Sequence, residues 1–159
     1  MLTKTCKYAL QALILIASVG KNEYLLAKQI SSALNIPKEY LSKVLRILVE
    51  EKFVKSLKGP RGGFCLAREP RDITIYDIIK AIDGIDFFQD CILRTGKCDE
   101  ENPCALHFYW LKILSQMRAV LDRATLHELA NEVKAGKRVL QFVDNIFRID
   151  DFKKQIGIR

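Results

Sequence analysis

The segment 26–66 restricts the fold more than any other part of the sequence. Leu34-Asn35-Ile36 leaves room only for a tight turn between two helical stretches. A short helix around Leu26 to Ala33 precedes the turn, and Pro37 follows it where a first helical turn tolerates proline. Leu41, Val44, Leu45 and Leu48 then recur as the buried stripe of a further helix, which turns Lys38, Glu39, Ser42, Lys43 and Arg46 outward. Two short helices joined by about three residues make a helix-turn-helix. Directly afterwards, Phe53 to Leu57 and Phe64 to Leu66 alternate as strands around Lys58-Gly59-Pro60-Arg61-Gly62-Gly63. The glycines permit positive φ and close backbone approach, and Lys58 and Arg61 project from the tip. A basic hairpin behind an exposed helix is a wing.

The flanks are helical. Leu10, Leu13, Ile14 and Ala17 predict an amphipathic helix over Tyr8 to Ala17, ended by Gly20. Thr74 and Asp77 form a capping-box pair ahead of the stripe Ile75, Ile78, Ile79 and Ile82, stopped at Gly84. A first domain is therefore expected over residues 1–84. Residues 86–103 lose all periodicity and carry five acids and two bases, and a loop of that length is commonly functional or disordered. Beyond it, Leu106, Trp110, Ile113, Met117, Val120 and Ala124 follow spacings of 4, 3, 4, 3 and 4, a heptad seam. Such a seam packs along the same helix of a second copy, or along an intrachain helix such as the first. Thr125 and Glu128 cap a shorter helix, and Val139, Leu140, Val143, Ile146 and Phe147 suggest one more helical stretch before a charged tail. The fold class expected is mainly α with a small β-hairpin wing. It divides into a winged helix-turn-helix at 1–84, a cysteine-containing loop at 85–103, and a long dimerisation helix with a helical tail at 104–159.

Charge narrows the partner. The net charge is +7, yet residues 1–84 hold 14 Lys or Arg against 8 Asp or Glu, while residues 85–159 hold 12 against 11. Within 37–68 eight basic residues face three Glu. A positive stripe of this density attracts polyanions, because neutralised phosphates release their counterions; a solvated helix face has the same composition. The longest apolar run, Ala12 to Val19, is too short to span a bilayer, and no secretory cleavage pattern opens the chain. Together with five cysteines, an odd number, this favours a cytoplasmic protein with reduced thiols and no membrane contact. No nucleophile–base pair suggests catalysis or a small-molecule substrate.

Cys91, Cys98, Cys104 and His107 fall within seventeen residues, a set of soft and borderline donors suited to a metal ion or an iron–sulfur cluster. Three Cys and one His also suit zinc. Ordinary loop thiols and a helix-start histidine remain the plain alternative. Cys65 belongs to a wing strand and reads as packing, Cys6 as a half-buried helix residue, and His127 as a surface residue.

The chain closely resembles the winged-helix transcription factors of the IscR, NsrR and CymR type. The resemblance rests on Lys7-Tyr8-Ala9, Tyr40-Leu41, the wing string Ser56 to Phe64, and Leu121-Asp122-Arg123-Ala124-Thr125-Leu126, and it reaches about Ala130. It implies a homodimeric repressor or activator on a palindromic double-stranded DNA operator. DNA contacts would fall to Lys38, Glu39, Ser42, Lys43, Arg46, Lys58 and Arg61. The cysteine spacing is similar to the cluster-bearing branch, which implies an iron–sulfur cluster on Cys91, Cys98 and Cys104, the 2Fe–2S form favoured over 4Fe–4S. The resemblance offers His107 as the fourth ligand. Some members instead use an acidic residue on the partner's first helix, where this chain has Lys7, a poor ligand; neighbouring Cys6 is the alternative donor. Expected function is therefore operator binding controlled by a cluster that senses redox state, nitric oxide or iron status. Two alternatives stand beside it: a cluster-free regulator of cysteine metabolism acting with a protein partner, and a small electron-transfer or metal-carrier protein.

Overall fold

A computed structural model describes residues 2–137 and 149–158. The last helical stretch expected at Val139 to Phe147 lies outside the described residues. Seven helices and one antiparallel hairpin make up the described fold. Helix α1 runs over Lys4–Val19, one turn earlier than its apolar stripe suggests, because Thr3 caps it by accepting from the Cys6 N–H at 3.2 Å. Helices α2 (Ala27–Leu34) and α3 (Lys38–Glu50) enclose the short turn. Asn35 there takes the left-handed conformation, φ 50° and ψ 41°, and its N–H donates to the Ser31 carbonyl. Asparagine is one of the few residues other than glycine that adopts this state readily.

Strands β1 (Val54–Leu57) and β2 (Gly63–Leu66) pair Val54 with Leu66 and Leu57 with Gly63. Leu25 exchanges two backbone hydrogen bonds with Phe64, at 2.9 and 2.8 Å, so the wing is pinned to the entry of α2. No periodicity or turn motif around Leu25 announces this third contributor. Two glycines are obligatory at the hairpin. A Cβ on Gly62 would lie 2.0 Å from the Leu57 carbonyl oxygen, and one on Gly63, φ 134°, would lie 2.5 Å from that of Leu25.

Helix α4 (Ile75–Asp83) carries the Thr74–Asp77 capping box and ends at Gly84, φ 77°. Helix α5 covers His107–Arg123, α6 Leu126–Lys134 with the Thr125–Glu128 box, and α7 Ile149–Ile156. One apolar cluster joins these parts: Leu13, Ile16, Leu41, Leu45, Leu48 and Ile78 share it with Leu126, Ala130, Ile149 and Phe152. Helix α6 packs on α1 and α5 packs on α4. Among the described residues α5 thus packs chiefly on α4, while α1 packs chiefly on α6 and α4. Among the described residues no helix is long and apolar enough to cross a membrane.

Candidate DNA-binding surface and cysteine site

The two parts of the site are built differently, one from charge on rigid elements and one from thiols on a loop. Leu41, Val44, Leu45 and Leu48 are buried, so helical periodicity leaves Lys38, Glu39, Ser42, Lys43 and Arg46 on the exposed face of α3. All five are exposed, as are Lys58 and Arg61 on the hairpin loop. Little holds these groups in place. Arg46 pairs with Glu50 at 3.7 Å, but both side chains are open to solvent and such a pair contributes at most about 1 kcal/mol. The Ser42 hydroxyl donates to the Lys38 carbonyl at 2.9 Å, which leaves its lone pairs facing outward.

The cysteine loop has more internal order than its composition suggests. After a 3-10 turn at Asp86–Phe88, the Cys91 N–H donates to the Gly96 carbonyl and the Cys98 N–H to the Gln89 carbonyl, each at 2.8 Å. These bonds fold residues 89–98 back on themselves and bring both cysteines to the base of one turn. A second turn follows, where Asp99 accepts from the Glu101 and Asn102 backbone N–H groups at 2.9 and 3.3 Å. Arg94 links the two turns by donating to the Asn102 carbonyl at 2.7 Å. The Asp99-x-x-Asn102 spacing is a turn signal that a closer reading of the sequence would have caught; nothing local announces the Arg94 contact.

This folding brings the Cys91 and Cys104 sulfurs to 3.5 Å. Hydrogen bonds from the Leu93 backbone foremost, then from Arg94 and Cys104, hold the Cys91 thiol down at about 7 against its burial. Burial and then the charge of neighbouring Cys91 push the Cys98 thiol above the ordinary range. The three thiols therefore act on one another. His107 opens α5 and its N–H donates to the Cys104 carbonyl at 3.0 Å, so the two donors share one turn. The imidazole is 3% exposed, and its Nδ1 is buried with no hydrogen-bond partner. A buried ring nitrogen left unpaired in this way is costly unless something else satisfies it. Among the described residues, no three His, Cys, Asp or Glu side chains are gathered closely enough to cage a single ion.

Trp110 closes the loop from the other side, its indole N–H donating to the Asp90 carbonyl at 2.8 Å. One member of the heptad seam is thus engaged within its own chain. Ile113 and Val120, further along, are 50% and 65% exposed. The opposite stripe of α5 holds buried Leu114 and meets α4 through Arg118, whose guanidinium lies 4.6 Å from the Tyr76 ring centre. The other two cysteines lie apart from the loop. Cys65 is fully buried in β2, as its packing role required. Cys6 is fully buried too, and burial, then the Asp83 carboxylate, raise its thiol to about 12. His127 bonds to Asn131 on its own helix at 2.9 Å.

Similarity to known proteins decides what this arrangement belongs to. A family model described as "Rrf2: Iron-dependent Transcriptional regulator" matches residues 2–132. The chain belongs to the Rrf2 family of transcriptional regulators. Among Rrf2 relatives, it is 37% identical over 129 residues to a helix-turn-helix transcriptional regulator of Aquifex aeolicus, covering 80% of this chain and 89% of the relative. The solved structure of CymR, the global cysteine regulator of B. subtilis, is similar with a TM-score of 0.69 and 28% identity, over 82% of this chain and 96% of that one. T. potens IscR shares the fold, with a TM-score of 0.68 at 24% identity over 87% and 92%. The winged-helix reading of the sequence holds, and the Rrf2 chain is a DNA-binding regulator, not an enzyme.

Proposed function

We propose that this Rrf2 regulator is a cytoplasmic homodimer that binds a palindromic operator with an affinity set by an iron–sulfur cluster, the 2Fe–2S form favoured. Its parts are the winged helix-turn-helix at 1–84, the cluster loop at 85–103 and the dimerisation helix with its tail at 104–159. The observation that carries this reading is the 3.5 Å approach of the Cys91 and Cys104 sulfurs; His107, three residues after Cys104 in sequence, has a buried Nδ1 without a hydrogen-bond partner. Cys98 acts electrostatically on the same pair. Three thiols and an imidazole fit the donor chemistry of a cluster, whose thiolates are shared between irons. Cys91, Cys98, Cys104 and His107 would hold it. Bound there, it would supply a centre that oxidants, nitric oxide or iron loss can alter.

The chain's own residues would do the rest. Cys6 is a poor rival to His107, because it is enclosed in the core with its thiol held protonated. On α3, Lys43 and Arg46 would reach phosphates or guanine edges, and Lys38 the adjacent backbone. The Ser42 hydroxyl already donates its hydrogen bond to the Lys38 carbonyl, so toward a base it would accept, which matches the amino groups of adenine and cytosine. Lys58 and Arg61 would enter the minor groove from the wing. Ile113, Val120 and the rest of the exposed α5 seam would meet a second copy. Anaerobic purification followed by a visible absorption spectrum tests the cluster: the reading requires colour in the native protein, and a colourless, iron-free protein would count against it.

The likeness to CymR favours a second reading, a cluster-free regulator acting with a protein partner. Full operator binding by iron-free protein would support it.

A further inference from the structure

We propose that Asp83 and Tyr40 are positioning residues, which join the cysteine loop to the recognition helix through the first turn of α1. Asp83 is the last residue of α4, and Gly84 directly after it begins the run into the cysteine loop. Its Oδ2 accepts from the Thr3 N–H at 2.8 Å and its Oδ1 from the Thr3 hydroxyl at 2.5 Å. Thr3 is the N-cap of α1. In a capping box the N-cap N–H is satisfied locally, by a Glu or Gln three residues on. The residue three on is Cys6, which cannot serve, so a carboxylate eighty residues away takes that place. The start of α1 therefore depends on the end of α4.

The same turn of α1 is fastened on its other side to α3. Thr5 Oγ and the Tyr40 hydroxyl lie 2.9 Å apart. The Tyr40 ring meets Tyr8 edge-on with centres 5.3 Å apart, and the Lys4 ammonium stands over both rings at 5.6 and 5.9 Å. Tyr40 lies between Glu39 and Leu41, in the first turn of the recognition helix. A continuous line of bonds thus runs from Gly84 through Asp83, Thr3, Thr5 and Tyr40 to the face that carries Lys38 and Ser42. A shift of the loop that moves Asp83 must drag Thr3 with it or break two hydrogen bonds. Contiguous packed and bonded elements of this kind carry coupling between sites.

This inference rests on cluster control of operator binding, so its test has one arm that needs the cluster and one that does not. In the first arm, operator affinity is measured for loaded and stripped protein in wild type, Asp83→Ala and Tyr40→Phe. Coupled sites differ typically by about 5- to 150-fold. The variants should keep the visible spectrum while that ratio falls toward one; a wild-type ratio in both variants overturns the proposal. In the second arm, amide hydrogen exchange is followed in stripped wild type and stripped Asp83→Ala. Exchange should quicken several-fold at Leu41 to Lys43 in α3 as well as in the first turn of α1, with Leu13 to Ile16 unchanged as the control for folding. Quickening confined to α1 refutes the joint, whatever the cluster does. Equal loaded and stripped affinities in wild type, with exchange still transmitted to α3, would leave the joint standing and remove cluster control instead.

Discussion

The sulfurs of Cys91 and Cys104 approach to 3.5 Å although the two residues stand thirteen positions apart in the chain. Hydrogen bonds to backbone carbonyls bring them there: the Cys91 N–H to Gly96, the Cys98 N–H to Gln89 and the Arg94 side chain to Asn102 fold the loop, while the Trp110 indole ties it to α5. The thiols contribute no regular secondary structure and little core. Removing one should therefore abolish a ligand without unfolding the chain.

Cys98→Ala is accordingly expected to lose visible absorbance while its thermal midpoint moves by no more than a few degrees, a change of under about 1 kcal/mol. Absorption spectra and differential scanning calorimetry on the same sample check both halves. Retained colour would show that Cys98 is not a ligand.

Lys43→Ala and Arg61→Ala should weaken operator binding and flatten its salt dependence. Each lost phosphate contact lowers the slope of log K against log salt by about 0.9. Fluorescence anisotropy titrations at several salt concentrations separate the cases: a slope unchanged by Lys43→Ala would mark that side chain as merely solvated.

Cys6 gives the protein an alkaline limit. Its thiol titrates at about 12 in the folded chain, against 9.0 for an unperturbed cysteine, because burial foremost and then Asp83 oppose the thiolate. Between those values the folded state holds a proton that the unfolded state has lost, so this contribution to stability is whole below pH 9 and disappears as the pH rises toward 12. Urea midpoints measured from pH 8 to 11 should fall, and should fall less steeply in Cys6→Ala. Parallel slopes in the two proteins would speak against the assignment.

Gly62→Ala should cost about 1–3 kcal/mol and weaken operator binding, since its Cβ would be driven into the Leu57 carbonyl and the wing would have to open. Urea denaturation and operator titration give the two numbers. An unaltered wing would show up as wild-type values in both.

Much of this was legible in the sequence, for identifiable reasons. The stripe Leu41, Val44, Leu45, Leu48 is strictly periodic, and the boxes Thr74–Asp77 and Thr125–Glu128 are local, so the elements they define stand where expected. What escaped was non-local. The early start of α1 depends on a cap completed by Asp83, the wing on Leu25, and the order of the cysteine loop on bonds made by Arg94 and Trp110. Each of these joins residues whose relation no periodicity records. The heptad seam was visible as a pattern, but which edge of α5 faces α4 emerged only from the Arg118–Tyr76 contact.

The central claim is that the cysteine site governs DNA binding, and operator affinity before and after cluster removal tests it most directly. The measurement is made anaerobically on one preparation, at one salt concentration, with the cluster stripped by a chelator in half of the sample. A difference of about fivefold or more between the halves is the predicted result. Equal affinities would contradict the claim and leave the Rrf2 chain a regulator that its cysteines do not control.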